Sequence, residues 1–150
     1  MLEFKRKFVL SNLDRVKSNK DRIIDNCENS KKWLITVWLG TIIFVSKNSE
    51  LSENLLGLLL LEVFLFYVLE TIFRYHTKRH SWRIFHMEKW IMKATEDEIV
   101  SLEGPLALVT PSPTTSDDLS FMKNAIKDKY SYPYYLVMGV FSGFVYGYIA

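Results

Sequence analysis

YPYYLVMGVFSGFVYGYIA, running from Tyr132 to Ala150, holds no charged side chain across nineteen residues. About 20 apolar residues cross the hydrocarbon of a bilayer as a helix, so this stretch predicts a membrane-spanning helix. Gly139, Gly143 and Gly147 recur every four residues within it. Glycines at that interval share one helical face and let a second backbone approach closely. Tyr130, Tyr132, Tyr134 and Tyr135 crowd its start, as an aromatic belt at headgroup level does. Pro133 falls in the first turn, where proline is tolerated.

Two more apolar blocks lie upstream. Trp33 to Ser46 is uncharged, between Lys32 and Lys47. Its fourteen residues rise roughly 21 Å, short of the ~30 Å hydrocarbon core. Snorkelling Lys31, Lys32 and Lys47 can extend it. The other block runs from about Leu51 to Phe73 and is interrupted by Glu62. Twelve strongly apolar residues between Leu55 and Leu69 favour insertion by about 4–7 kcal/mol, against ~3 kcal/mol or less for the one central carboxylate. The short link from Lys47 to Glu50 makes the two blocks a helical hairpin.

The expected fold is therefore an all-α membrane protein. It divides into a cytoplasmic amphipathic helix (1–31), a transmembrane hairpin (32–73), cytoplasmic helices with a Pro/Ser/Thr linker (74–131) and a third transmembrane helix (132–150). The 150 residues carry nineteen Lys and Arg and a net charge of only +2. Nine of those cations precede the first block, one lies between the first two, nine lie between the second and third, and none follows. By the positive-inside rule the N-terminus is cytoplasmic and the C-terminus outside, after three crossings. Lys5, Arg6 and Lys7 do not open a secretory signal, because Phe8-Val9-Leu10 is too short an apolar core.

In residues 2–31, Leu2, Phe4 or Phe8, Val9, Leu13, Val16, Ile23 and Ile24 recur at helical spacing among charges. Such a helix either lies on the anionic inner leaflet or packs on the remaining cytoplasmic part. Residues 84–100 predict a further helix with Ile84, Met87, Trp90 and Ile91 on one stripe. After the linker that contains Gly104-Pro105 and Thr110-Pro111, Ser116 or Asp117 can cap a short helix through Lys127.

Three features bear on function. Glu62 lies at mid-block, and an ionisable group at mid-bilayer is expensive enough to imply a role. That role is either a water-filled ion or proton path, or a protonated carboxyl bonded between helices. The glycine face of 139, 143 and 147 packs either within the chain or between copies, and three helices alone cannot enclose a water path. The segment from Arg74 to Arg83 holds four cations, Arg74, Lys78, Arg79 and Arg83. They can hold topology, bind anionic lipid or bind a phosphate-bearing ligand. His76 and His80 have i, i+4 metal spacing, but no Cys or acidic set completes a site. Cys27, the one cysteine, can form no intrachain disulfide. With no Walker loop, G-x-S-x-G, HExxH or kinase-type loop, neither an enzyme nor a cofactor is expected.

A basic amphipathic start, a tight two-helix membrane hairpin and a helical extension, across roughly residues 1–95, resemble the membrane effectors of bacterial antiphage systems. These are the SLATT-type two-helix effectors and the small channel partners of nucleotidyltransferases in Hailong-type systems. The third span departs from the two-helix plan. The resemblance implies a homo-oligomeric channel, at least a tetramer, that depolarises the bacterial inner membrane when a nucleotide or oligonucleotide signal changes. Arg74, Lys78, Arg79 and Arg83 would then bind the signal, and Glu62 and the glycine face would form the pore or its seals. A holin-like lysis protein and a membrane-anchoring subunit of a larger complex are the alternatives.

Overall fold

The computed structural model describes residues 2–47, 53–101 and 112–149. It is all-helical there: α1 (Leu2–Ser46), α2 (Leu55–Lys93), α3 (Glu96–Ser101), α4 (Thr115–Ile126) and α5 (Tyr132–Ile149). The Gly104–Pro111 part of the linker and most of the α1–α2 link lie outside the described residues.

The boundaries expected at 31/32 and 73/74 fall inside continuous helices. α1 carries the amphipathic stretch straight into the first apolar block, and α2 carries the second block straight into the cationic segment. At 1.5 Å per residue the two helices are roughly 67 and 58 Å long. No proline interrupts either, and three hydroxyls within α2 are satisfied locally. Thr71, Thr77 and Ser81 each donate to the carbonyl four residues earlier.

α1 and α2 pair antiparallel. Thr41 faces Glu62, Lys31 faces Glu70 and Lys17 faces Glu88. Two apolar clusters lie along this pair. Near the tip, Leu34, Trp38, Val45, Leu55, Leu59, Val63 and Tyr135 are buried together, with Val145 and Ile149 of α5 against them. Far from the tip, Val9, Leu13 and Met87 are buried with Val16, Ile84, Trp90 and Ile91 around them. The amphipathic stretch of α1 thus packs on α2, leaving Phe4 and Phe8 exposed.

α2 ends at Lys93, earlier than the 100 expected. Ala94 turns extended, and Thr95 and Glu98 form a reciprocal cap that starts α3. α4 is capped by Thr114 rather than Ser116 or Asp117, with Asp117 reaching back to the Thr114 N–H. The helix therefore starts two residues earlier than a Ser116 cap would place it.

Among the described residues one helix, α2, is long and apolar enough to cross a membrane, and only 28% of its apolar window is buried. α1 offers only fourteen uncharged residues, between Lys32 and Lys47, and α5 is diluted by Tyr132, Tyr134, Tyr135, Tyr146 and Tyr148. Length and composition thus support one of the three expected spans. The exposed surface of all three segments is nonetheless apolar: Trp33, Ile43, Phe44, Leu61, Phe64, Leu65, Val137, Phe141 and Phe144 all point outward.

Candidate functional site

Glu70 is fully buried where α1, α2 and α5 meet. Its Oε1 accepts from the Arg74 guanidinium at 2.8 Å and from the Ser131 hydroxyl, and lies 3.4 Å from the Lys31 ammonium. Its Oε2 accepts from the Tyr135 hydroxyl at 2.8 Å. Arg74 reaches on to Asp128 at 3.2 Å. One carboxylate therefore ties the end of the α4–α5 turn to both long helices. A buried charge holds its place only with such full compensation.

This network lies at the border between the apolar-surfaced and charged parts of the bundle. Lys31 also sits 5.4 Å over the Tyr134 ring, whose hydroxyl donates to the Lys31 carbonyl at 3.4 Å. Lys129 lies 4.9 Å over Tyr130. The tyrosines read as an aromatic belt are therefore gathered with lysines at one level.

The four cations expected to act together are divided. Arg74 is committed to Glu70 and Asp128. Lys78 shares its face and lines a cleft of about 370 Å³ with Ile24, Cys27, Glu28, Lys31, Arg74, Thr77, Asp128 and Tyr130. Arg79 turns toward α4, its Nε 3.5 Å from Asp118, which also accepts from Tyr75 at 3.1 Å. Arg83 lies near His80. His80 Nδ1 is buried with no hydrogen-bond partner among the described residues, and burial, then Arg83, His76 and Arg79, hold its pKa below the ordinary 6.5. Burial pushes the Cys27 thiol up to about 11, so it stays protonated and unreactive at neutral pH.

Glu62 accepts from the Thr41 hydroxyl across the α1–α2 seam. Its other oxygen is buried with no partner among the described residues. The seam continues as a groove of about 450 Å³ lined by polar Asn26, Asn29 and Ser30 and apolar Trp33, Val37, Phe66, Leu69 and Phe73. On the opposite side of the pair, α5 docks through Ser142, which accepts from the Trp38 indole at 2.9 Å, and through Tyr135, Met138 and Val145.

The glycines are not what docks it. A Cβ on Gly139 would only touch Leu60 at 4.0 Å, and one on Gly143 or Gly147 would meet nothing within 4 Å. Their stripe faces open space.

Sequence reasoning missed Glu70, Asp128, Ser131 and Tyr135. The readable signal was the i, i+4 pair of Glu70 and Arg74 at the end of an apolar block. Comparison of the chain with protein-family models, with curated proteins and with solved structures finds no match.

Proposed function

We propose that this chain is a multi-pass inner-membrane protein. Copies of it assemble around an ion pathway, and the cationic part of α2 controls that pathway through a phosphate-bearing ligand. The observation that carries the reading is Glu62: a carboxylate in the apolar part of α2, held by Thr41 on one oxygen and with no partner for the other among the described residues. Inside hydrocarbon such an oxygen needs a proton, a cation or a donor from a neighbouring copy. The open glycine stripe on α5 supports assembly, because it offers a close-packing face that the chain itself leaves unused. Three crossings, with the start of α1 in the cytoplasm and the end of α5 outside, follow from the cation distribution. Depolarisation of the inner membrane in antiphage defence is the setting that the architectural resemblance supplies.

The test is current across planar bilayers that hold the purified protein, with its mass in mild detergent measured in parallel. The expected result is a homo-oligomer whose conductance is lost or changes selectivity in Glu62→Gln. A monomer that passes no current overturns the reading.

A second reading has its own support. Phe4, Phe8, Phe85, Met92 and Leu119 are exposed on the charged half of the bundle. Exposed apolar residues there suit a partner protein, so the chain would anchor a larger complex. Co-purification of a different protein in fixed stoichiometry, with no current from this chain alone, would favour it.

A further inference from the structure

The 370 Å³ cleft between α1, α2 and the α4–α5 turn has a chemistry of its own. Three cations line it, Lys31, Arg74 and Lys78, against two acids, Glu28 and Asp128. Arg74 already holds Asp128 at 3.2 Å and Glu70 at 2.8 Å. Lys31 reaches Glu70 only at 3.4 Å and keeps a quarter of its side chain exposed. Lys78 has no ion-pair partner among the described residues. Tyr130 forms one wall, and Lys129 lies over its ring. Thr77, its hydroxyl hydrogen spent on the Phe73 carbonyl, leaves only acceptor capacity. The donors that converge on the cleft are therefore two ammonium groups from different helices, at the level where the surface changes from apolar to charged.

We propose that this cleft holds a phosphate group between the Lys31 and Lys78 ammonium groups, beside Tyr130. Two cations bracketing one anion give charge-assisted hydrogen bonds stronger than neutral ones. A phospholipid places its phosphate at this depth, and anionic headgroups are drawn to such basic pockets. A nucleotide phosphate arriving from water carries the same chemistry. The proposal rests on the membrane reading for the lipid source and not for the soluble one. It also divides the cations of α2: Lys78 belongs to the ligand, Arg74 to the Glu70 network. Glu28, three residues before Lys31 on α1, opposes the anion.

Two probes separate the sources. Native mass spectrometry in mild detergent reads binding of phosphatidylglycerol against phosphatidylcholine. Fluorescence anisotropy reads binding of a labelled trinucleotide. Retention of one of them is expected to fall at least tenfold in Lys78→Gln, which breaks no ion pair, and further in Lys31→Gln with Lys78→Gln. Glu28→Gln should tighten it, and Lys89→Gln should leave it unchanged. Phosphatidylglycerol alone responding identifies a lipid site, and the trinucleotide alone responding identifies a soluble ligand. Binding of neither probe, or binding weakened by Arg79→Gln and not by Lys78→Gln, overturns the proposal. Flotation with phosphatidylcholine vesicles tests the membrane reading separately. A chain that stays soluble without detergent sinks that reading, while the trinucleotide arm still decides the cleft.

Discussion

Phe64 and Phe85 stand on the same helix and are equally exposed, at 59% each. Their surroundings differ. Phe64 is flanked by exposed Leu60, Leu61, Leu65 and Val68, and exposed Leu136 of α5 lines the same hollow. Phe85 is flanked in sequence by Arg83, Glu88 and Lys89, and its ring meets His86 edge-on at 5.3 Å. One helix pair thus runs through two kinds of surface. At the charged end, burying Val9, Leu13 and Met87 takes apolar area out of water, which is the usual driving force. In the membrane setting proposed for the apolar end, burial gains nothing over the lipid tails. There the pairing must come from close packing and polar contacts. The contacts present are of that kind: Trp38 to Ser142, Thr41 to Glu62, and the Glu70 network at the border.

The comparison is broken most severely at that border. Glu70 and Glu88 are both rungs of the α1–α2 ladder, but Glu70 is fully buried and Glu88 is 43% exposed. Glu70→Ala leaves Lys31, Ser131 and Tyr135 without their shared acceptor and Arg74 with Asp128 alone, and should cost about 3 kcal/mol, the low end for a broken buried pair. Glu88→Ala removes a water-screened pair with Lys17 and should cost about 0–1 kcal/mol. Denaturant unfolding in mild detergent measures both. Similar costs would mean that Glu70 is reached by water.

The two phenylalanines give the next largest contrast. Phe64→Arg should cost about 3 kcal/mol of insertion free energy, because it places a permanent charge against hydrocarbon. Phe85→Arg should change stability by about 0.5 kcal/mol or less, as surface substitutions do. Glycosylation-mapping of insertion and thermal melting read the two. If Phe64→Arg is tolerated, the apolar surface is covered by protein rather than lipid.

Much of this division was legible in the sequence, and the rest was not, for identifiable reasons. Apolar blocks and cation spacing mark where the surface changes, because both are local properties. Helix continuity through Lys31–Trp33 and Phe73–Arg74 was hidden. Charge composition changes there but backbone propensity does not, and no proline or glycine stops either helix. The glycine stripe was visible as a pattern, yet its spacing is the same whether it meets α1, α2 or another copy. The partners of Glu70 come from Lys31, Ser131 and Tyr135, which no local window contains together. The four cations of α2 looked like one cluster because they are close in sequence. The helix places Arg74 and Lys78 on one side and Arg79 on another.

A smaller effect sharpens the account of the charged end. α4 begins on the Thr114 cap, whose hydroxyl accepts from the Asp117 N–H while Asp117 accepts from the Thr114 N–H. Thr114→Ala should cost about 1 kcal/mol. It should also loosen the contact of Asp118 with Tyr75 and Arg79, because Asp118 lies in the same first turn. Hydrogen exchange of the α4 amides reads this. Unchanged protection would show that α4 is held by α2 alone.

The smallest effect concerns His80, half-buried at the charged end, whose Nδ1 is buried with no hydrogen-bond partner among the described residues. Burial disfavours its charged form, and nearby Arg83, His76 and Arg79 add repulsion, so its pKa in the folded chain lies below the ordinary 6.5. The unfolded chain therefore takes up this proton at a higher pH than the folded one. By linkage, folding is favoured in full above the ordinary value, and that contribution is lost as pH falls through the folded value. Acidification from pH 7.5 to about 5.5 should lower the melting temperature of the wild type more than that of His80→Gln. His76 and His86 are common to both chains, so the difference isolates His80. Equal shifts in the two chains would show that water reaches the His80 ring in the folded state.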